Sequence, residues 1–266
     1  MSQEYILAVG ETDRQRLEIL NRMYNPITQY FLTQNGLKQG MTVLEVGCGT
    51  GDMACWLANQ IGKKGKVVAI DNSSAQIKLS SEKAKNKGIN NIEFLCLDVR
   101  DLATLNQQFD FAYGRWVISF LPDQHSIFQN ILSVLKSGGI LSYETASNVG
   151  EGYFSYPATP VVAEWFKISE QFFKKNKFCL DLGNQLFHLY GKLGLSNIQI
   201  MANQPIMKTP EEKSVMRIGS TNAKDQLLKL MDEKNYQRYI QGLEAFEQSD
   251  AIAGFYRNIL AAGVKV

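Results

Sequence analysis

Histidine is nearly missing from this chain, cysteine and proline are sparse, and neither sign of charge dominates. Two histidines, His125 and His188, lie far from each other and from Cys48, Cys55, Cys96 and Cys179. No C-x-x-C spacing occurs, so neither a metal cluster nor a disulfide framework is indicated, and the thiols are expected to be reduced. Lysine and arginine number 28 against 26 aspartates and glutamates, a net charge of +2 that argues against a polyanionic partner. Basic residues are not interleaved with aromatics; Lys63, Lys64 and Lys66 read as a solvated turn. No stretch of about 18 apolar residues occurs, and MSQEYILAVGETDRQR lacks the basic-then-apolar order of an export signal. A cytoplasmic protein with no nucleic-acid partner and no stable membrane insertion is expected. At 266 residues the chain is long enough for one large domain with a full core.

Against these absences stands one rich stretch, Val43 to Gly51, VLEVGCGTG. Its β-branched and aliphatic start predicts a strand buried on both faces. The acid Glu45 and three alternate glycines, Gly47, Gly49 and Gly51, then predict a turn in which backbone N–H groups meet a ligand. Met53, Leu57 and Ile61 follow at helical spacing until Gly62. Strand, glycine turn and helix form a nucleotide-type site. A dinucleotide fingerprint, however, needs G-x-G-x-x-G, and here the third glycine comes one residue early.

The pattern of an acid followed by G-x-G-x-G resembles the first motif of the class I S-adenosylmethionine-dependent methyltransferases, matched by Glu45, Gly47, Gly49 and Gly51. The resemblance implies S-adenosyl-L-methionine as cofactor. It also implies an α/β fold, a doubly wound, mostly parallel seven-stranded sheet with helices on both faces, here with helical insertions. Two further strands end on acids. Lys66 to Asp71 places Asp71 where a carboxylate accepts from ribose hydroxyls, with Asn72 next and Ser73 or Ser74 capping a helix whose inner face reads Ile77, Ser81, Ala84 and Gly88. Ile92 to Leu97 leads to Asp98 and Val99, the pair that clamps adenine in the resembling family. Cofactor contacts are thus expected from Glu45, Gly47, Cys48, Gly49, Gly51, Asp71, Asn72, Asp98, Val99 and Gly114.

A fourth strand, Phe109 to Tyr113, precedes Gly114, Arg115 and Trp116. Asp123 caps a helix with Ile127, Ile131, Val134 and Leu135 inward, and VLKSGG resembles the family's turn into a fifth strand, Ile140 to Tyr143. The fourth strand lacks the acid-or-amide Pro-Pro-aromatic run of amine-directed DNA and glutamine enzymes and the Pro-Cys of cytosine-carbon enzymes. The resemblance therefore points to the small-molecule branch, which includes quinone, phenol and polyketide-type enzymes. A methyltransferase acting on protein or RNA stays open, as does a nicotinamide-dependent oxidoreductase, although the latter leaves Asp98 without a role.

The chain reads as one domain, 1–266. Residues 1–40 predict two cover helices, with Leu17, Leu20 and Tyr24 before Pro26 and Ile27, Tyr30 and Phe31 after it; Tyr5, Tyr24 and Tyr30 are candidate pocket residues. The cofactor core is 41–147. Residues 153–178 carry eight aromatics, where average usage gives about three, and 205–250 are helical and charged. Segments 150–178 and 205–250 are expected to form a lid over a small, largely apolar or aromatic acceptor held by Arg115, Trp116, Tyr24 and Trp165. Leu182 to Leu193 predicts the last helix of the basic fold, Ile198 to Met201 a sixth strand and Gly254 to Val266 a seventh, antiparallel in the resembling family. Neither histidine is assigned as a base.

Overall fold

A computed structural model describes residues 11–266. Alternating burial builds the centre of the fold. In β1 (Thr42–Val46), Val43 faces one way and packs with Met53, Leu57 and Ile61 of α2 (Asp52–Ile61). Leu44 and Val46 face the other way, toward a second cluster with Ile127, Phe128 and Ile131 of α4 (Gln124–Ser133) and Leu186 and Tyr190 of α6 (Leu182–Lys192). Period-two alternation with both faces apolar requires helices on both sides of a sheet. Completing it are β2 (Lys66–Asp71), β3 (Ile92–Cys96), β4 (Phe109–Arg115), β5 (Leu135–Ala146), β7 (Leu195–Asn203) and β10 (Asn258–Lys265). The order is β3-β2-β1-β4-β5-β10-β7. The first five strands run parallel, and β10 lies antiparallel between β5 and β7, as the resemblance implies.

Several boundaries differ from expectation. The N-terminal segment is one helix, α1 (Glu11–Gln34), not two, although Pro26 lies inside it. A proline removes a single intrahelical donor, and Leu20, Tyr24, Phe31 and Leu32 on both sides of it are buried, so packing carries the helix through. The fully buried residues of α3 (Ser74–Asn86) are Gln76, Ser80 and Ala84, and Ser73 is its cap. Of the predicted inner face, Ala84 is buried and Ile77 packs partly buried against the core, whereas Ser81 is not fully buried and Gly88 lies past the helix. β5 begins at Leu135, which pairs with Phe109; the glycine turn at 136–139 is a bulge within the strand before pairing resumes at Ile140. The final segment divides into β9 (Ile252–Gly254) and β10.

The two insertions hold α5 (Pro160–Lys175), α7 (Pro210–Asn222), α8 (Lys224–Leu227) and α9 (Glu233–Gln248). Their apolar faces form a third cluster with the first half of α1: Trp165 and Phe166 meet Val215, Met216, Tyr239, Leu243, Leu20 and Tyr24. At their roots β6 (Ser155–Tyr156), β9 and β8 (Ile206–Met207) make a small antiparallel sheet, which ties both insertions to the segment leading into β10. Among the described residues, no helix is long and apolar enough to cross a membrane.

Candidate active site

Four parallel strands end side by side, and their carboxyl ends with α1 enclose a cleft of about 190 Å³. Open α/β sheets bind ligands at this edge. Glu45, Gly47, Cys48, Gly49, Asp71, Asn72, Asp98 and Val99, all expected from sequence, line it. Gly51 and Gly114 do not. A Cβ on Gly51 would lie 2.7 Å from Ser80 Cβ, and one on Gly114 would lie 3.1 Å from the Val46 carbonyl oxygen, so both serve close packing behind the cleft. In the turn, Gly47 has φ +73 and faces Val117, whose Cγ2 would sit 2.0 Å from an added Cβ. Gly49 has φ +52 with nothing within 4 Å of its missing Cβ. The space beside its Cα is therefore open, while its N–H is taken by Asp71.

The acids are held differently. Asp71 accepts from the Gly49 N–H (3.1 Å) and the Ser73 N–H (2.9 Å), so it ties the glycine turn to the start of α3; burial still pushes its pKa up. The Asp98 carboxylate is forked by the Arg100 guanidinium, whose hydrogen bonds pull its pKa below the usual range. Arg100 is thus the partner of a cleft acid. Glu45 is almost fully buried, and its Oε2 has no hydrogen-bond partner among the described residues. Burial pushes its pKa up to about 8; Asp52 and Asp71 add to the rise, and Arg115 opposes it. Two further buried atoms without partners line the same cleft, Gln76 Oε1 and Tyr113 Oη. Buried polar atoms in folded proteins are nearly always paired, so three orphans in one cleft mark a place where a polar ligand completes the bonding.

Arg115 was expected to touch the acceptor. Instead it lines the cofactor-side cleft, with Nη1 donating to Asn25 Oδ1 at 2.9 Å, Nη2 to Asn21 Oδ1, and Glu144 Oε1 3.6 Å away. Asn21 also donates to Asp52 Oδ2 (2.9 Å), which Lys83 pairs at 2.6 Å, so α1 is latched onto the glycine turn. Sequence patterning missed Asn21, Thr50, Gln76 and Tyr113. Asn21 is an ordinary polar residue in a helix, and only its position over the turn reveals it.

A second, mostly apolar cavity of about 160 Å³ lies beyond this cleft. Trp165, Phe172 and Ile168 of α5, Val215 of α7, Tyr239 of α9, and Phe255 line it. Hydroxyl pairs sit in its wall, Ser119 with Thr145 at 2.7 Å and Ser220 with Tyr239 at 2.9 Å. The two cavities share Asp13, Arg16, Leu20, Trp116 and Phe120 as lining residues. Trp116 holds a left-handed φ of +55, rare for a bulky side chain. Three contacts keep it there: its N–H donates to the Glu144 carbonyl (3.1 Å), its Nε1 to Asn258 Oδ1 (3.0 Å), and the Tyr24 ring meets it edge-on at 4.8 Å. Tyr24 lines neither cavity. It is fully buried, donates to the Tyr256 carbonyl at 2.6 Å and supports Trp116 from behind. Tyr30 is exposed on the outer face of α1, and Tyr5 lies outside the described residues. Of the four predicted acceptor residues, Trp116 and Trp165 reach the apolar cavity.

Comparison with known proteins agrees with this geometry. Residues 37–235 match the family model described as a methyltransferase domain. A demethylmenaquinone methyltransferase from Listeria welshimeri is 29% identical over 138 residues, 49% of this chain and 58% of that protein. A ubiquinone/menaquinone biosynthesis C-methyltransferase from Idiomarina loihiensis is 29% identical over 112 residues, 42% of this chain and 45% of that protein. The match therefore spans about half the length of these relatives. In fold, the YcgJ protein of Bacillus subtilis superposes with a TM-score of 0.61 at 14% identity, covering 89% of this chain and 97% of that one. A phosphoethanolamine N-methyltransferase from Haemonchus contortus gives 0.54 at 20% identity, covering 95% and 52%. With residues 37–235, most of its length, matched by the family model, the chain belongs to the methyltransferase-domain family.

Proposed function

We propose that the protein is an S-adenosylmethionine-dependent methyltransferase whose acceptor is a small, largely apolar or aromatic molecule. The observation that carries this reading is the wall shared by the two cavities. A polar cleft built from strand-end acids and a glycine turn adjoins an aromatic cavity, and Trp116 stands in both linings. Bound S-adenosylmethionine supplies an electrophilic methyl group on a sulfonium, so the chain's own task is to orient a nucleophile and keep water out.

The residues present fit such a ligand. Gly49 leaves room for its amino-acid tail beside the turn, and the Glu45, Gln76 and Tyr113 orphans offer partners to its polar groups. Asp71 and Asp98 stand at the strand ends for ribose hydroxyls and the adenine amine, with Val99 beside them. On the other side of the wall, α5 and the helices of the second insertion cover what the open sheet edge leaves wet. A flat ring system suits walls of Trp116, Trp165, Phe172 and Tyr239. The two quinone-pathway relatives named above carry acceptors of that shape in their names, which favours a ring-bearing acceptor here.

The test is transfer of radiolabelled methyl from S-adenosylmethionine in a host extract containing the purified protein. Label in the organic-solvent-extractable, low-mass fraction is expected. Label confined to protein or RNA, or binding of NAD with none of S-adenosylhomocysteine, would overturn the reading.

A further inference from the structure

Among the described residues five carboxylates line the cofactor-side cleft, and four of them are satisfied within the protein. Asp13 is forked by Arg16, Asp52 is paired with Lys83, Asp98 with Arg100, and Asp71 accepts two backbone N–H groups. The fifth, Glu45, is buried with Oε2 unpartnered. Arg115 is the cation nearest in character, but Glu144, itself fully buried, takes it at 3.6 Å, and Asn21 and Asn25 orient its guanidinium away into α1. Two buried carboxylates therefore share one guanidinium. Glu45 is left without a cation of its own, and burying an uncompensated carboxylate costs far more than holding a proton on it.

We infer that Glu45 is protonated in the free protein and gives up that proton to solvent when the ammonium of the cofactor's amino-acid tail docks against it. The balance is simple: a neutral carboxyl and a bound ammonium become a carboxylate–ammonium pair plus one proton released to buffer, and no other bond changes. The groups facing Glu45 pull both ways, with Arg115 on β4 opposing the proton more strongly than either acid favours it and the buried Cys55 on α2 close enough to feel its charge. Asp52 on α2 and Asp71 on β2 add negative charge, and Cys48 in the turn and Tyr113 on β4 are buried and neutral. Burial outweighs Arg115, and the net shift of Glu45 is upward. Since Glu45 lies inside the proposed cofactor site, the inference rests on that reading and adds to it a prediction the reading lacks. Cofactor affinity should depend on pH through a group that never contacts the transferred methyl.

Isothermal titration with S-adenosylhomocysteine, in buffers of small and large ionisation enthalpy, measures the proton directly. Near pH 7 close to one proton should be released, and affinity should fall roughly fivefold from pH 8 to pH 7, as linkage to a group titrating near 8 requires. E45Q, an uncharged isostere, should release none from this position and lose the pH dependence. A second probe, 5′-methylthioadenosine, has the nucleoside without the amino-acid tail and should bind the wild-type protein with no proton release, which decides the matter even if E45Q does not fold. Wild-type binding of S-adenosylhomocysteine without proton release, or equal release from E45Q or with methylthioadenosine, overturns the inference and leaves the cofactor assignment standing. No binding of either nucleoside overturns both.

Discussion

Replacing Asp71 by alanine separates a ligand contact from a structural one. From sequence alone its carboxylate has only the ribose to meet, and its loss should spare the fold. In the structure both oxygens are used internally, Oδ2 by the Gly49 N–H at 3.1 Å and Oδ1 by the Ser73 N–H at 2.9 Å. A hydrogen bond to a charged acceptor contributes about 1.5–3 kcal/mol. Water reaches one side of this half-buried residue, and burial already disfavours its charge, so the lower figure applies to each bond. The expected loss is about 3 kcal/mol for the two bonds. With a urea slope near 3 kcal/mol per M for a chain of this size, the midpoint should fall by roughly 1 M. Asp71→Asn should recover little, because an amide accepts through one oxygen and places its NH₂ against the second backbone donor. Binding of S-adenosylhomocysteine, followed by calorimetry in both variants, should weaken at least tenfold, since the Gly49 peptide edge is no longer held. An Asp71→Ala protein with an unchanged urea midpoint and lost binding would show that the carboxylate acts on ligand alone, and one with unchanged binding would remove it from the site.

Three other outcomes follow from the same geometry. Gly47→Val places a Cβ 2.0 Å from Val117 Cγ2 at φ +73 and should abolish stable folding, whereas Gly49→Ala meets nothing within 4 Å and should cost only about 1 kcal/mol of backbone strain; equal thermal midpoints for the two would refute the account of the turn. Trp165→Ala removes a large side chain that packs between α5 and α7 and donates to the Met216 carbonyl at 3.2 Å, a loss of about 3–5 kcal/mol, while Trp165→Phe should keep most of the stability and raise KM for the acceptor more than for the cofactor; a proportional rise in both would detach Trp165 from the acceptor cavity. For Glu45 the folded pKa, about 8, lies above the unfolded carboxylate range, so the folded chain binds the extra proton between those values and stability of the ligand-free protein should fall as pH rises through that window. Glu45→Gln should flatten that decline and be the more stable protein at pH 8, and denaturation profiles of equal slope would contradict it.

Local patterning in the sequence determined the cofactor half of this molecule. The run from Val43 to Gly51 specifies strand, turn and helix start within nine residues, because buried strands, positive-φ glycines and caps are set by near neighbours. Lys66 to Asp71 is a strand with those bounds, and Asp123 and Ser73 are the caps. Since parallel strands end on the same sheet edge, the sequence alone groups the acids. What lay beyond reach depends on partners distant in the chain. Arg115 looks like an acceptor ligand until Asn21, Asn25 and Glu144 are seen to hold it, and Tyr24 looks like a pocket residue until its hydroxyl is found on Tyr256. Strands of two or three residues at β6, β8 and β9 carry no periodicity to read. Pro26 predicts a break that burial before and after the proline overrides. The orphaned oxygen of Glu45 shows the division most plainly: the sequence places an acid at the strand end, but whether it meets a cation depends on which of two carboxylates, 99 residues apart, Arg115 pairs with, and only tertiary packing decides that.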